Sequence, residues 1–537
     1  MAVAPNRRQA LGALSAGGLL AAPAAQAATS GPAVTVAPID PAAIDGVVSG
    51  FMRLFEIPGL AVAVVQPGQA PIVRGYGVRV LGQAAQVDAD TQFAIASNSK
   101  AFLTACLALL VDAGKLGWDD LVVDHLPDFR MSDPRVTSMM TVRDLLTHRS
   151  GLPLGAGDLL QFPRTDHTAE DVLKALPYFK PARGFRAGYA YDNSLYIVAG
   201  LLLQRVSGLG WDDFVRTRIF QPLGMTQAVS NPTMRLSPNH AGRHARLGPP
   251  VIGMGPVQVI PADEGAIIGP AGGIAVSAAQ IVPWLQVQLG RGALPDGRRL
   301  WSEAQADELW KPQTIVSSSA GPTAEAPQRA VIAAYALGWG VADYRGRRML
   351  SHGGGLAGQI TRTALLPEQG VGLAVFSNSQ EEDAVSALRY ALADRLLGAP
   401  AFDWVGFALN ARDKAEAEVR KVLAADGAFA PPPGGPSLAL ERYAGRYRDP
   451  WYGDIVVSRR GAGLAIAFTH TPVFTSVLEP FGPDAFRTRF PATAGEDAVV
   501  TFAVHDGAVT GVTMRPLSPL ADFSFDFQDL AFAPVRD

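Results

Sequence analysis

Phe93-Ala94-Ile95-Ala96-Ser97-Asn98-Ser99-Lys100 runs straight into an apolar segment, residues 101–111. Residues three apart on a helix share a face. Ser97 and Lys100 therefore meet at the start of a helix apolar enough to be buried. A serine hydroxyl is a weak nucleophile until a base takes its proton. A lysine serves as that base only when neutral, and burial lowers a lysine pKa. The tetrapeptide also fits a helix N-cap followed by a surface lysine. Lys100 is, however, the only lysine of the chain with a serine three positions before it, and later segments decide between the two.

A chain of 537 residues exceeds one ordinary domain, so two or three are expected. With 48% hydrophobic and 18% charged residues it belongs with globular proteins. A net charge of -3 leaves no basic footprint for nucleic acid. No stretch reaches the roughly 20 apolar residues of a membrane helix. Cys106, the only cysteine, falls in the apolar helix after Lys100 and reads as a buried structural thiol. No Cys/His cluster has zinc spacing, so neither a metal nor another cofactor is expected. Residues 1–28 read as a twin-arginine export signal: Arg7-Arg8, a weakly apolar stretch, then Ala25-Gln26-Ala27 as a cleavage site. The same segment also fits an Ala-rich leader. Export would place the folded protein in the periplasm or outside the cell, with a core large enough to need no disulfides.

Residues 41–55 have helical spacing of apolar residues. Residues 60–65 and 72–80 are β-branched runs separated by the turn Gln66-Pro67-Gly68-Gln69, which predicts a hairpin. Thr141 and Asp144 have the spacing of a capping pair on a short helix stopped by Gly151 and Pro153. His148, in that stretch, reads as a turn anchor. Tyr191 and Asn193, in Tyr189-Ala190-Tyr191-Asp192-Asn193-Ser194, lead into an apolar helix and can face one cleft. A phenol can shuttle a proton, and an amide can hold a substrate or the lysine.

Ile219–Phe220–Gln221–Pro222–Leu223–Gly224–Met225 reads as a turn after a helix, residues 269–274 as the start of another amphipathic helix near Ser277, and residues 312–332 as a loop. Segments 335–341, 347–351, 359–366 and 371–378 are expected as successive antiparallel strands, with Pro367-Glu368-Gln369-Gly370 a turn between the last two. The sheet then has its two sequence ends far apart, with a large helical insert between them. Inside the late strands lies Ser351-His352-Gly353-Gly354-Gly355. Glycines at a strand edge admit another backbone closely, as an oxyanion hole or a peptide-like substrate requires. Residues 381–397 and 411–423 read as helices. The Pro/Gly-rich stretch 428–436 is a linker. Beyond it, short alternating segments at 455–458, 464–469, 498–504 and 509–514 predict a small all-β barrel or sandwich.

Three weak motifs in fixed order are stronger than any one. Ser97-x-x-Lys100, Tyr191-x-Asn193 and His352-Gly353-Gly354 stand in the order of the active-site elements of the serine β-lactamase and penicillin-binding-protein superfamily. Residues 145–153 (LLTHRSGLP), 219–225 (IFQPLGM), 271–277 (AGGIAVS) and 336–340 (ALGWG) resemble its class C β-lactamase-like branch. The resemblance covers about residues 45–395. Tyr443-Ala444-Gly445-Arg446-Tyr447 resembles the lipocalin-like C-terminal domain of some peptidases of this branch.

The resemblance implies an α+β fold: an antiparallel sheet flanked by helices with an all-helical insert, then a small all-β C-terminal barrel. It divides the chain into a signal (1–28), a serine hydrolase domain (29–400), a helix and linker (401–436) and a lipocalin-like domain (437–537). It implies that Ser97 is the acylated nucleophile, Lys100 its base and Tyr191 the proton shuttle. Asn193 would hold Lys100 or the substrate amide. His352, Gly353, Gly354 and Gly355 would line the substrate and oxyanion side, with the N–H groups of Ser97 and Gly355 as the oxyanion hole. No metal is needed. His352 departs from the lysine that true β-lactamases use to fix a carboxylate, and histidine is a poorer permanent charge near neutrality. The expectation is a peptidase or amidohydrolase acting on short linear or D-amino-acid-containing peptides, linearised microcystin-type peptides among them. A carboxylesterase, a β-lactamase and a non-hydrolytic penicillin-binding or cell-wall-binding protein are the alternatives. The expected partner is a small peptide, amide or ester substrate. Neither nucleic acid nor a membrane segment beyond the signal is expected.

Overall fold

The structure, a computed structural model, describes residues 36, 38–234, 236–249, 251–424 and 431–536. The expected export segment and residues 428–430 of the linker lie outside the described residues. The first helix, Pro41–Phe55, starts on Pro41 with Asp40 as its cap and buries Ile44, Val48, Phe51 and Phe55, the spacing of one helical face.

β1 (Gly59–Val65) and β2 (Ile72–Gly77) form the expected hairpin. Every residue of β1 is buried. The cause is its place in the sheet: Ala61, Ala63 and Val65 face one apolar core, while Leu60, Val62 and Val64 face a second core on the other side. Period-two alternation here sorts two buried faces, so β1 reads as a continuous apolar run. Short strands β3 (Gln92–Ala94), β4 (Arg243–Arg246), β5 (Val257–Ile260) and β6 (Ala275–Ser277) make two ribbons, β3 with β6 and β4 with β5.

The main sheet is completed late in the chain by β7 (Thr314–Ser318), β8 (Ile332–Tyr335), β9 (Gly340–Tyr344), β10 (Arg347–Leu356), β11 (Gln359–Leu366) and β12 (Val371–Ser377). Its eight strands run β2-β1-β12-β11-β10-β9-β8-β7. β1 pairs with β12, Leu60 opposite Ser377 and Val65 opposite Gly372, so the two sequence ends of the sheet do meet across the insert. Helices Pro41–Phe55, Glu382–Leu397 and Trp404–Ala424 contribute to the core on one face.

Three sequence expectations need correction. Residues 312–332 are not all loop: β7 is the sheet's edge, and its Ile315 and Val316 are exposed. An edge strand with one paired side shows no buried alternation to read. The segment 335–341 is not one strand. It breaks between β8 and β9, where the Ala336 N–H donates to the Trp339 carbonyl (2.7 Å) and Gly338 has φ +77°. The helix expected near Ser277 is present, but residues 269–274 are not its start. Gly269–Gly272 is a short turn of helix, β6 follows, and the helix Ala278–Leu289 starts only after its cap, Ser277.

After the Pro/Gly stretch, β13 (Gly445–Asp449), β14 (Gly453–Arg460), β15 (Gly463–Phe468), β16 (Thr475–Pro480), β17 (Ala485–Arg487), β18 (Ala498–His505), β19 (Ala508–Pro516) and β20 (Ala531–Pro534) close into an eight-stranded barrel in that order. Buried Ile455, Val457, Leu464, Ile466, Phe468, Val500, Phe502 and Val512 follow the period-two pattern. The barrel packs on the helical insert: Trp451 meets Phe179 edge-on at 5.3 Å, and the rings of His167 and His470 stack at 4.3 Å. No described helix is long and apolar enough to cross a membrane.

The turn at Gly338 matters because it touches the helix Ser99–Asp112. A β-carbon there would lie 2.9 Å from Ala101 Cα and from the Lys100 carbonyl oxygen. Gly338→Ala should cost about 1–3 kcal/mol, combining left-handed strain and close approach. Gly208 has a similar φ of +76° but nothing within 4 Å, so Gly208→Ala bears the strain alone. Thermal unfolding of both variants decides the point: equal losses would remove the close-approach argument.

Candidate active site

Ser97 lies in the 3₁₀ turn Ala96–Asn98, immediately before the helix Ser99–Asp112. Ala96 takes φ +48°, a left-handed conformation that costs an alanine roughly 1–2 kcal/mol. Surrounding bonds hold it there. The Asn98 amide donates to the Ile95 carbonyl (3.0 Å) and Thr361 Oγ1 (2.8 Å). Thr363 Oγ1 donates to Asn98 Oδ1 at 2.6 Å. The Ile274 N–H donates to Ser99 Oγ at 3.0 Å. Within Ala96–Lys100 only Ser97 is partly exposed; its neighbours are buried. The turn therefore offers one hydroxyl to the outside.

Lys100 is fully buried. Its Nζ lies 3.0 Å from Ser97 Oγ, 2.8 Å from Asn193 Oδ1 and 2.8 Å from the Ala271 carbonyl oxygen. Burial pulls its ammonium down to about 7, against Asp158 and Asp192, which raise it. A neutral amine has two N–H donors and one lone pair. With both donors on carbonyl oxygens, the lone pair faces Ser97.

Tyr191 donates its phenolic O–H to Ser97 Oγ at 2.7 Å. Burial holds its pKa well above the ordinary value, so it is a protonated phenol at neutral pH. Its ring packs 4.3 Å from that of His148. His148, at φ +53°, accepts the Asp192 N–H on Nδ1 (3.2 Å) and is kept uncharged by burial. Thr141 and Asp144 form the capping box of the short helix before it, and Asp144 also takes Arg149 (2.8 Å) and Arg186 (2.5 Å). Asn193 precedes the helix Ser194–Ser207, and its Nδ2 donates to Asp158 Oδ1 at 3.1 Å. That bond fixes which end of the amide faces the lysine. Burial pushes the carboxyls of Asp158 and Asp192 up to about 7 each.

β10 carries the glycines past the nucleophile turn. A β-carbon at Gly354 would fall 2.1 Å from the Ile95 carbonyl oxygen and 2.5 Å from Thr361 Oγ1. Only glycine lets the strand lie so close. At Gly355 a β-carbon would meet only Ile360 Cδ1 at 3.3 Å, and at Gly353 it would meet the Arg362 guanidinium at 3.0 Å. β9 pairs with β10 only as far as Ser351. His352 has both ring nitrogens engaged within the protein. Nδ1 faces the Gly353 carbonyl at 2.7 Å, so it carries the proton, and Nε2 accepts from Tyr335 Oη at 2.9 Å. Burial depresses its pKa to about 3. The imidazole is neutral and presents no cation. Tyr189, Tyr191 and Tyr335, with Gly340, Ser351, His352 and Gly353, line a cleft of about 240 Å³.

The structure thus brings Ser97, Lys100, Tyr191 and Asn193 into one bonded group, with Gly354 against the nucleophile turn. It adds what the sequence did not signal. Ala271 contributes only a backbone oxygen, and Asp158 sits in an unremarkable Gly-rich loop. Asn98 and Thr361 act from elements 263 positions apart. Asn98, Ala271 and Tyr335 stand in or beside recognised stretches, but nothing in those stretches signalled their roles.

The sheet, the insert and this buried lysine against a serine define a serine-hydrolase-fold enzyme. The chain belongs to the beta-lactamase family, whose profile matches residues 44–396. Residues 430–534 match a second profile, the domain of unknown function DUF3471. The chain is similar to the unguisins hydrolase ungD of Aspergillus violaceofuscus, 27% identical over 84% of this chain and 82% of that protein. It is also similar to penicillin-binding protein 4 of Amycolatopsis lactamdurans, 29% identical over 60% of this chain and 81% of that protein. Two solved structures share the fold. The D-amino acid amidase of Ochrobactrum anthropi SV3 has 22% identity and a TM-score of 0.54, covering 66% of this chain and 97% of its own. The octameric penicillin-binding protein homologue of Pyrococcus abyssi has 16% identity and a TM-score of 0.54, covering 92% and 100%.

A neutral Lys100 as base sets the sign of the pH dependence. Protonation removes the lone pair, so kcat/KM should fall about tenfold per pH unit below the transition near 7 and level off above it. A flat profile from about pH 5 to 9 would rule out Lys100 as the base.

Proposed function

We propose that the protein is a serine peptidase or amidohydrolase that cleaves short linear peptides, D-amino-acid-containing ones included, through an acyl-enzyme on Ser97. The observation that carries this is the pair of contacts on Ser97 Oγ: Lys100 Nζ at 3.0 Å and Tyr191 Oη at 2.7 Å. Lys100 takes the serine proton as Oγ attacks the carbonyl carbon. The N–H groups of Ser97 and Gly355 receive the oxyanion, each donor being worth about 2.7–4 kcal/mol to the transition state. The C–N bond then breaks. Tyr191 gives its proton to the leaving nitrogen and regains one from the Lys100 ammonium. Water repeats the sequence on the acyl-enzyme, with Tyr191 and Lys100 returning to their starting forms.

Several features support amides over the alternatives. The neutral His352 gives a β-lactam carboxylate no fixed positive charge. The tyrosine-lined cleft suits an uncharged apolar or aromatic group beside the scissile bond. A relative that spans most of this chain is by its name a hydrolase of unguisins. A complete Ser/Lys/Tyr set has no use in a non-hydrolytic binder. A twin-arginine signal in residues 1–28 would carry the enzyme to the periplasm or beyond. We read the C-terminal barrel as lipocalin-like in strand number and closure. Tyr443, Phe468, Phe474, Phe486 and Phe502 fill its interior, which suits a packing module.

A panel of nitrocefin, a p-nitrophenyl ester, D- and L-aminoacyl peptides and a linearised microcystin-type peptide tests the assignment. Peptide turnover should exceed nitrocefin turnover, and Ser97→Ala should abolish all of it. Nitrocefin as the best substrate would make the protein a β-lactamase. Tyr191→Phe and Lys100→Ala should each lose about 10²–10⁴-fold in rate; full activity in Tyr191→Phe would reduce that residue to packing.

A further inference from the structure

The barrel reaches the catalytic lysine. In the connection between β19 and β20, Ser524 Oγ donates to Asp158 Oδ2 at 3.0 Å. The other oxygen of that carboxyl, Oδ1, accepts from the Asn193 amide at 3.1 Å, and Asn193 Oδ1 in turn accepts from Lys100 Nζ at 2.8 Å. Two residues on, Asp526 takes the N–H groups on either side of Asp158: Gly157 at 2.8 Å and Leu159 at 3.2 Å. The same short segment also holds the backbone of the phenol, since the Gly155 N–H donates to the Tyr191 carbonyl at 2.9 Å. Phe523 lies against it: a β-carbon on Gly155, already at φ +74°, would fall 2.6 Å from the Phe523 ring. One connection of the barrel therefore grips residues 155–159 by side chain, backbone and ring.

We propose that Ser524 and Asp526 are positioning residues for Lys100. They orient Asp158, and through it Asn193, so that the amide oxygen and not the amide nitrogen faces the lysine amine. This rests on Lys100 being the base of Ser97. An asparagine whose Nδ2 lost its acceptor could rotate and turn a donor toward the amine. The amine would then lose the acceptor that aims its lone pair. The barrel is on this view part of the hydrolase site, acting through two intermediaries and touching no substrate.

The charges around this path set a second signature. Asp158 faces Asp192 and Asp522 as like charges and takes hydrogen bonds from Asn193 and Ser524. Asp526 faces Asp158 and Asp529, and burial raises its carboxyl against the Gly157 and Leu159 N–H groups, which lower it. Lys100 faces Asp158 and Asp192, and it in turn depresses His148 and His352. The Ser524 hydroxyl favours the ionised form of Asp158, which favours the ammonium of Lys100. Removing that hydroxyl should leave Asp158 protonated to higher pH and Lys100 neutral to lower pH.

The test uses the full-length protein, a p-nitrophenyl ester and a fluorophosphonate that labels activated serines. Ser524→Ala should lose on the order of ten- to a hundredfold in kcat, as misplacement of a catalytic group does, with KM little changed. Its acid limb in kcat/KM should move to lower pH. Ser524→Thr, which keeps a hydroxyl, should restore both. A folded Ser524→Ala with wild-type kcat and an unmoved limb overturns the proposal. Asp526→Asn places an amide donor against backbone N–H groups, so hydrogen exchange at Gly157 and Leu159 should accelerate. Unchanged exchange there also overturns it. Fluorophosphonate labelling that survives Ser97→Ala would instead refute the nucleophile, and the exchange measurement would still judge the grip by itself.

Discussion

A charged amine cannot be taken out of water without compensation, and the site is built around that constraint. Lys100 is fully buried, so it either finds partners for a charge or gives the charge up. The structure offers it carbonyl oxygens from two distant elements, Asn193 and Ala271, and, among the described residues, no carboxylate in direct contact. Carbonyls satisfy N–H groups without repaying the cost of a full positive charge. The amine is held near its neutral form, with its remaining valence turned to Ser97. A direct salt bridge in the same place would have anchored the ammonium and left the serine without a base.

The rest of the fold can be understood as what brings those acceptors and the nucleophile together. The helix Ser99–Asp112 supplies the serine and the lysine at one spacing. The insert supplies Tyr191 and Asn193 just ahead of the helix Ser194–Ser207, and Ala271 from the short helix Gly269–Gly272. The sheet supplies a strand of glycines. The glycine strand and the nucleophile turn depend on small residues for different reasons. Gly354 is small because the Ile95 carbonyl occupies the space of a side chain. Ala96 is small because it must adopt φ +48° in a buried turn. Both constraints act on the same few ångströms around Ser97, where strain in the turn is balanced by the bonds of Asn98 and Thr361.

Much of this was legible in the sequence, and the division is physical. Ser97 and Lys100 were readable because their proximity is a property of one helix. Tyr191 and Asn193 were readable only through their order along the chain relative to two other motifs, since nothing local distinguishes a phenol in a cleft from one in a core. Strands β1 and β12 announced themselves because both faces are buried and apolar, and β11 through its apolar end Ala364-Leu365-Leu366 before the Pro/Gly turn. β7 did not, since an edge with exposed Ile315 and Val316 has no alternation to follow. The break between β8 and β9 was hidden in an apolar run, where the decisive fact is the left-handed conformation of Gly338. Half of the barrel strands were visible as alternating segments; β13, β16, β17 and β20 were too short or too mixed. The Ala271 acceptor of Lys100 and the contact of Ser524 with Asp158 could not be read at all. A backbone oxygen has no letter, and a pair 366 positions apart has no spacing to recognise.

The proton inventory of the site follows from the same burial. Lys100, Asp158 and Asp192 are each moved by desolvation to about 7, the lysine from above and the carboxyls from below. Were all three ionised, the pocket would hold a net negative charge in a dry interior. Were all three neutral, it would hold none but keep a competent base. Intermediate forms with one carboxylate and one ammonium are also neutral overall, so a proton can be relocated within the cluster without creating net charge. General acid–base work is most effective when the exchanging groups lie near the operating pH. Burial that first looks like a cost to stability is therefore what lowers the lysine to the task, and the two aspartates, which raise it, keep its ammonium form within reach near neutrality.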